Sequence, residues 1–270
     1  MMRLFKILSV SLIILVFLAR PASGQGEQLV IRLTTPGVPG YLAFDNPKGS
    51  VRITGYDGQV ILINATQRYS GSGKQENGGM HKIERKAFDI SAEEKNNQVS
   101  LVCMSNNKTV DFDIKIPRKF SLKISSFDNG KIEIIHVSGS VEADNPFGDI
   151  ILDNVAGSAV LNSVNGKIKA VFSAVDPSSP MMFTSLEGNI ELYFPEKVNA
   201  NIKLRSENGE LFSEFSIKPI RRQTEVKKSA RGSVYSLEDW TVGVLNNGGP
   251  EYFVSTFNGN IYLKKFRTKL

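Results

Sequence analysis

Apolar and polar residues alternate in short runs along most of this 270-residue chain. The runs open at glycines, and the five glycines from Gly130 to Gly166 are nine residues apart. Ten units read GSVRI, GQVIL, GKIEI, GSVEA, GDIIL, GSAVL, GKIKA, GNIEL, GELFS and GNIYL. The second and fourth residues after the glycine are apolar in every unit except GELFS, whose last residue is Ser213. An alternation with a period of two predicts β-strands that bury one face.

This register also predicts which side chains form the core. We expect the following pairs to point inward: Val51/Ile53, Val60/Leu62, Ile132/Ile134, Val141/Ala143, Ile150/Leu152, Ala159/Leu161, Ile168/Ala170, Ile190/Leu192 and Ile261/Leu263. The positions between them are mostly Ser, Lys, Glu, Asp, Asn or Arg, so the other face of each strand should contact solvent.

The turns between the strands help to choose among all-β folds. Asn-Gly and Asp-Gly pairs provide residues that tolerate positive φ, and Asn-Gly is also a strong signal for a two-residue hairpin. A hairpin centred on Asn165-Gly166 would pair apolar Val164 with polar Lys167, and two other units show the same mismatch. The pattern therefore favours a β-solenoid, in which successive strands stack, while a β-sandwich with longer loops stays open as an alternative.

The N-terminal segment has the layout of a secretory signal. Arg3 and Lys6 precede the apolar run Ile7–Ala19, and Ala22-Ser23-Gly24 offers small residues for cleavage. The run is shorter than the roughly 20 residues of a spanning helix, although an uncleaved anchor is the alternative. We therefore expect residues 1–24 to be a signal peptide and residues 25–270 to be one exported domain without a transmembrane segment. Half of the formal charge of +6 belongs to the signal.

Two segments interrupt the repeats. Residues 69–98 begin with polar and glycine-rich sequence, which predicts an exposed excursion. Residues 216–232 carry six basic side chains against Glu225, and these are Lys218, Arg221, Arg222, Lys227, Lys228 and Arg231. This basic run would attract an anionic glycolipid or polysaccharide, or it is a solvated loop or a charge-protected edge strand. It contains no interleaved aromatic residues, so nucleic acid is not an expected partner.

Few residues suit catalysis or metal binding. Cys103 is the single cysteine and lies in an apolar strand, where we expect a buried side chain without a catalytic role. His81 and His136 are the two histidines. The acidic candidates for polysaccharide chemistry are Asp111 and Asp113 on one strand face, and Asp144, Asp149 and Asp153 near successive corners. No histidine accompanies them, and no phosphate loop or serine-nucleophile motif occurs in the sequence. The sequence thus predicts no catalytic, cofactor or metal site.

The segment YLAFDNPKGSVRITGYDGQVILINAT, residues 41–66, resembles the opening of the bacterial adhesin-like β-strand-repeat family, an exported domain of unknown function. VDFDIKIPRKFSLKISSFDNG, residues 110–130, resembles the next landmark of that family. The similarity of pattern spans most of residues 29–265, and the spacing departs from it between Gly209 and Gly259. The resemblance implies a right-handed β-helix-like or β-roll fold, a cell-envelope location and a role in adhesion.

The sequence thus predicts an exported, non-enzymatic, structural or adhesin-like binding module of the bacterial cell envelope, in the periplasm, at the cell surface or outside the cell. Its polar strand faces would bind a glycan or an envelope protein. Two alternatives stay open, namely an enzyme acting on polysaccharide and an envelope sensing or regulatory partner of a membrane protein.

Overall fold

The computed structural model describes residues 27–68, 89–104, 108–128, 130–219, 225–229, 232–236 and 240–267. Over these residues the chain forms strands and no helix, which confirms the all-β prediction. The strands are β1 (Glu27–Arg32), β2 (Gly40–Asn46), β3 (Val51–Tyr56), β4 (Val60–Arg68), β5 (Ile90–Lys95), β6 (Gln98–Cys103), β7 (Thr109–Pro117), β8 (Phe120–Ser126), β9 (Ile132–Ile135), β10 (Val141–Asn145), β11 (Ile150–Gly157), β12 (Ala159–Ser163), β13 (Ile168–Val175), β14 (Met181–Glu187), β15 (Ile190–Phe194), β16 (Ala200–Ser206), β17 (Leu211–Ser213), β18 (Ile217–Pro219), β19 (Glu225–Ser229), β20 (Gly232–Ser236), β21 (Thr241–Leu245), β22 (Glu251–Asn258) and β23 (Ile261–Lys265).

The strands assemble into two large mixed sheets. Sheet A has ten strands in the order β1-β4-β7-β3-β9-β11-β13-β15-β23-β17. Sheet B has eleven strands in the order β18-β21-β16-β22-β14-β12-β10-β8-β2-β6-β5. β19 and β20 form a separate antiparallel pair.

The glycine spacing reflects a two-strand repeat. From β8 to β15 consecutive strands alternate between sheet B and sheet A. Each strand pairs in parallel with the strand two positions later, so Ile132 aligns with Ile150 and Ile150 with Ile168. Equivalent residues are 18 positions apart between β9, β11 and β13 and between β10 and β12, so in this part a spacing of nine residues covers one strand and one corner. We call each sheet-B strand together with the sheet-A strand that follows it a rung.

Eight rungs of the described strands stack in an order that departs from the sequence. The order is β6–β7, β2–β3, β8–β9, β10–β11, β12–β13, β14–β15, β22–β23 and β16–β17. The last rung in the sequence is thus inserted before β16–β17. This insertion accounts for the irregular spacing after Gly209, because β18 and β21 extend sheet B before the chain returns to the stack. A solenoid that advances by one rung per repeat therefore describes β8 to β15 and not the whole stack.

The core lies between the two sheets and agrees with the predicted register in eight of the nine pairs, each of which is buried. The prediction is wrong for β4, where Ile61, Ile63 and Ala65 are buried and Val60 and Leu62 are half-buried. The Tyr56 hydroxyl donates to the Val60 carbonyl at 2.7 Å, and its ring lies against Gly58. After this turn β4 runs antiparallel to β7. A shift of one residue exchanges the two faces of a strand.

The predicted excursion also ends earlier than expected. β5 and β6 form a hairpin whose turn, Asn96–Asn97, has φ values of 55° and 60°. Residues 69–88 of the excursion lie outside the described ranges. Cys103 on β6 is buried in the core, as predicted.

A column of glycines marks the turn from the sheet-B strand to the sheet-A strand in the seven rungs from β2–β3 to β16–β17, and we call this turn the glycine corner. The column consists of Gly49, Gly130, Gly148, Gly166, Gly188, Gly259 and Gly209. A Cβ atom at any of them would lie 1.9–2.3 Å from a carbonyl oxygen of the neighbouring strand or rung. Neighbouring backbones therefore approach too closely for any side chain.

Polar side chains inside this corner satisfy the glycine carbonyls. They stand three or four residues before each glycine and are Asn46, Ser126, Asn145, Ser163, Ser185, Thr256 and Ser206. Each donates a hydrogen bond of 2.7–3.4 Å to the carbonyl of a glycine in the column. In the sequence this ladder corresponds to Asn, Ser or Thr three or four residues before a Gly. This pattern was not among the sequence-based predictions.

Candidate functional site

The acidic pair on β7 is held by a neighbouring cation. Asp111 and Asp113 lie on the solvent-facing side of the strand, as predicted. Asp111 accepts hydrogen bonds from Arg68 at 2.6 and 3.0 Å and from the Ser50 amide at 2.8 Å. Arg52, which pairs with Glu133 at 2.7 Å, lines the same shallow depression. This geometry suits a surface ion network.

The other acidic candidates do not converge. Asp144 lies on the outward face of sheet B. Partial burial raises the pKa of its carboxyl above 3.8, and the negative charge of Glu142 contributes a smaller increase. Asp149 precedes β11 in sheet A and accepts the Lys167 amide at 3.0 Å. Asp153 lies on β11, where its carbonyl accepts the His136 amide at 3.0 Å.

The histidines form no visible metal centre. His136 is exposed, and His81 falls outside the part of the chain that the structure describes. No cluster of three metal-ligating side chains occurs within that part.

The basic run is described only in part. Lys218 is exposed on β18, which is the edge strand of sheet B. Lys227 and Lys228 belong to β19, whereas Arg221, Arg222 and Arg231 lie outside the described ranges. For Lys218 the interpretation as a charged edge strand is confirmed. Binding of an anionic surface by the run stays a prediction.

Sheet A carries a row of aromatic side chains on its outward face. Tyr193 on β15, Tyr262 on β23 and Phe212 on β17 belong to successive strands. The Phe212 and Tyr262 rings stack with centroids 5.0 Å apart and planes within 8°. Phe212 is 44% exposed because β17 is the last strand of the sheet. We call these three residues the aromatic row.

Polar groups surround the aromatic row. The ammonium group of Lys264 lies 5.2 Å from the Tyr193 ring centroid and 5.0 Å from that of Tyr262. Its hydrogen bond to the Tyr193 hydroxyl, supported by Glu191, raises the pKa of Lys264 above 10.5. The Asn260 amide donates to the Tyr262 hydroxyl at 3.1 Å. The row thus combines an open aromatic end with a cation, a carboxylate and an amide.

A second aromatic cluster on sheet B is less open. Trp240 contacts Phe253 with centroids 5.0 Å apart. Lys203 and Arg205 lie 4.6 and 5.3 Å from the Trp240 ring. Because cations already lie over the tryptophan ring, this cluster offers less free aromatic surface than Phe212 does.

The aromatic row was not among the features predicted from the sequence. Phe212 and Tyr262 are both the third residue after their glycine, in the units GELFS and GNIYL. The available signal was an aromatic residue at the outward position of both units. Because the two units are far apart in the sequence, the contact between the rings could not be inferred from this signal.

Comparisons with known proteins give little further information. No protein-family model and no curated protein matches the chain. A crystal structure of a candidate cell adhesion protein from Clostridium sporogenes is similar with 12% sequence identity, over 90% of this chain and 100% of that chain, at a TM-score of 0.44. This similarity is too weak to carry an argument about fold or function. Among the described residues, no helix is long and apolar enough to cross a membrane.

Proposed function

We propose that this chain is an exported, non-enzymatic, adhesin-like module of the cell envelope that binds glycan through the aromatic row of sheet A. The open ring of Phe212 beside Tyr262 is the observation that carries the proposal.

The chemistry of the row suits a sugar. The face of an aromatic ring is electron-rich and attracts the polarised C–H groups on one side of a pyranose. Hydroxyl groups on the sugar need polar partners when they leave water. Glu191, Lys264 and Asn260 offer an acceptor and donors beside the rings. Lys264 also favours acidic sugars over neutral ones.

Export rests on the N-terminal sequence, and the envelope location on the family resemblance. Arg3, Lys6 and the apolar run Ile7–Ala19 have the order of a signal peptide. The first described strand begins at Glu27, so cleavage after Gly24 would leave it whole. Attachment to a surface requires a binding face and no catalytic group. The carboxylate of Asp111, one of the acidic candidates for catalysis, forms an ion pair with Arg68, which is in keeping with a role in attachment.

We also propose that β8 to β15 wind as a right-handed coil. Parallel strands of one sheet are almost always joined by right-handed crossovers, and every link in this part joins parallel strands through the opposite sheet. An experimental structure that showed a left-handed path would contradict this handedness without affecting the binding proposal.

A glycan array followed by calorimetry tests the binding function. The exported wild-type protein should bind a subset of neutral or acidic glycans. Phe212→Ala and Tyr262→Ala should each weaken that binding by about tenfold or more. Tyr41→Ala is the matched control, because Tyr41 is 36% exposed on the outward face of β2 in sheet B.

Two results would contradict the proposal: a wild-type protein that binds no glycan, or row variants that bind as tightly as Tyr41→Ala. Incubation with the bound polysaccharide checks the absence of catalysis. Release of new reducing ends would support the alternative of a polysaccharide-acting enzyme.

A further inference from the structure

A polar cleft of about 660 Å³ lies at the end of the sheets opposite the glycine corner. It opens where the loop between β15 and β16, the start of β18 and the turn between β21 and β22 come together. Its lining residues include Glu196, Lys197, Asn199, Lys218, Asn246 and Asn247. Ligand sites in proteins commonly enclose about 300–1,000 Å³, so the cleft has room for a small molecule.

Hydrogen bonds between its walls hold the cleft in shape. Val198 is buried in the core and anchors the loop between β15 and β16. The Asn246 side-chain amide donates to the Val198 carbonyl at 2.5 Å, and the Asn247 backbone amide donates to Asn199 Oδ1 at 3.2 Å. These bonds join the turn after β21 to that loop. Because two walls are fixed before a ligand arrives, binding would order few groups.

The free charge of the cleft is positive. The ammonium groups of Lys197 and Lys218 are exposed and, among the described residues, have no hydrogen bond or ion pair. The carboxylate of Glu196 is already paired with Lys265 at 2.8 Å. This hydrogen bond lowers the pKa of Glu196 below 4.5, so the pair is formed at neutral pH. An anionic group entering the cleft would therefore meet two cations that no carboxylate neutralises.

Neutral hydrogen-bonding groups accompany the two lysines. Over the same described residues, the Ser216 hydroxyl and the Asn247 side chain make no hydrogen bond. The side-chain nitrogen of Asn199 stays available, since its oxygen accepts the Asn247 amide. Hydroxyl and amide groups donate to phosphate oxygens and also bind sugar hydroxyls. A lysine binds phosphate as a point charge, whereas planar carboxylates are better matched by arginine, so these cations favour a phosphate.

We propose that this cleft binds a phosphorylated sugar, with Lys197 and Lys218 on the phosphate and the asparagine side chains on the sugar hydroxyls. A cleft of this volume exceeds a phosphate group alone, which leaves room for the sugar. The site shares no residue with the aromatic row. Lys218 is the first basic residue of the run 216–232, so the cleft gives this run a defined anionic ligand. A free sugar phosphate and the headgroup of a phosphorylated glycolipid offer the same chemistry.

Calorimetry of the exported protein with glucose 6-phosphate tests the site. At low salt the dissociation constant should be below about 5 mM, and glucose should bind at least about tenfold more weakly. Lys197→Gln and Lys218→Gln should each raise the dissociation constant by about threefold or more. Lys119→Gln is the matched control, because Lys119 is an exposed lysine in the turn between β7 and β8, far along the stack. No binding, equal binding of glucose, or equal weakening by the three variants overturns the proposal.

A change at Glu196 should act in the opposite direction. Glu196→Gln removes the negative charge of the lining and releases Lys265, so glucose 6-phosphate should bind about twofold or more tightly. A variant that only loosened the loop would bind less tightly. An affinity that is unchanged or weaker than that of the wild type would overturn the proposal.

Vesicle sedimentation distinguishes the two sources of the phosphorylated sugar. The probe is phosphatidylcholine vesicles with and without a phosphorylated glucosamine glycolipid. Retention that requires the glycolipid and that Lys218→Gln reduces supports the cleft as a site for the lipid headgroup. Binding of glucose 6-phosphate without such retention supports it as a site for the soluble compound.

Discussion

Replacing Gly148 by alanine should force two rungs of the stack apart. The new Cβ atom would lie 1.9 Å from the Gly130 carbonyl oxygen and 2.8 Å from the Asn145 amide nitrogen. Real Cβ atoms essentially never approach a heavy atom closer than 3.0 Å. The rungs must therefore separate by about 1 Å at this corner, because a backbone carbonyl cannot move away by changing a rotamer.

The cost follows from two contacts. Overpacking a rigid site costs about 1–3 kcal/mol. Loss of the 3.0 Å hydrogen bond from Asn145 to the Gly130 carbonyl adds about 1 kcal/mol. The gain from a less flexible unfolded chain, about 0.4–1 kcal/mol, offsets only part of this. We expect Gly148→Ala to lower the free energy of unfolding by about 2–3 kcal/mol, or the melting temperature by roughly 4–12 °C.

Urea denaturation followed by circular dichroism measures this loss. Gly37→Ala is the control, because nothing lies within 4 Å of its Cβ position. Gly37 has a φ of +86°, so its replacement should cost about 1–2 kcal/mol from backbone strain alone. If Gly148→Ala loses no more stability than Gly37→Ala, close approach is not the reason for the glycine column.

Three further predictions concern the core and the surface. Ile150→Asp buries an unpaired charge and should cost more than about 4 kcal/mol, whereas Lys167→Glu on the outward face should cost less than about 1 kcal/mol; equal thermal melts would refute the assignment of faces. Tyr252 is buried, and its hydroxyl has no hydrogen-bond partner within the described residues. This burial raises the pKa of Tyr252 to about 12. Because removing an unpaired buried hydroxyl loses no hydrogen bond, Tyr252→Phe should leave the free energy of unfolding in urea unchanged or raise it by up to about 1 kcal/mol. The hydrogen bond from the Thr34 amide lowers the pKa of the Glu94 carboxyl below 4.5, so ionised Glu94 stabilises the fold above pH 4.5, and this contribution is lost as the pH falls through the lowered pKa. Glu94→Gln should therefore flatten the pH dependence of the free energy of unfolding between pH 6 and pH 3. An unchanged slope would contradict this prediction.

The period-two alternation determined the faces of most strands. Val141, Ile150 and Ile190 are buried because successive side chains of a strand point to opposite sides, which is a local property of the chain. The nine-residue spacing likewise fixed the length of one strand and one corner. The burial of Cys103 followed from its apolar neighbours in the same way.

Local pattern failed where a distant partner sets the outcome. In β4 the inward residues are Ile61 and Ile63, because the strand lies antiparallel between β1 and β7. The outward face of Asp111 followed from the alternation, whereas its ion pair with Arg68 from another strand did not. Neither contact leaves a periodic signal in the sequence.

Only the tertiary structure decided which rung lies beside which. β22–β23 inserts ahead of β16–β17, and this insertion brings Tyr262 beside Phe212 and Leu186 beside Phe257. Every rung offers its neighbour the same backbone hydrogen bonds and a similar apolar interior, so the alternation specifies rungs without specifying their order. The order depends on side-chain packing between segments far apart in the sequence. The aromatic row is therefore a product of the stack and not of any single repeat.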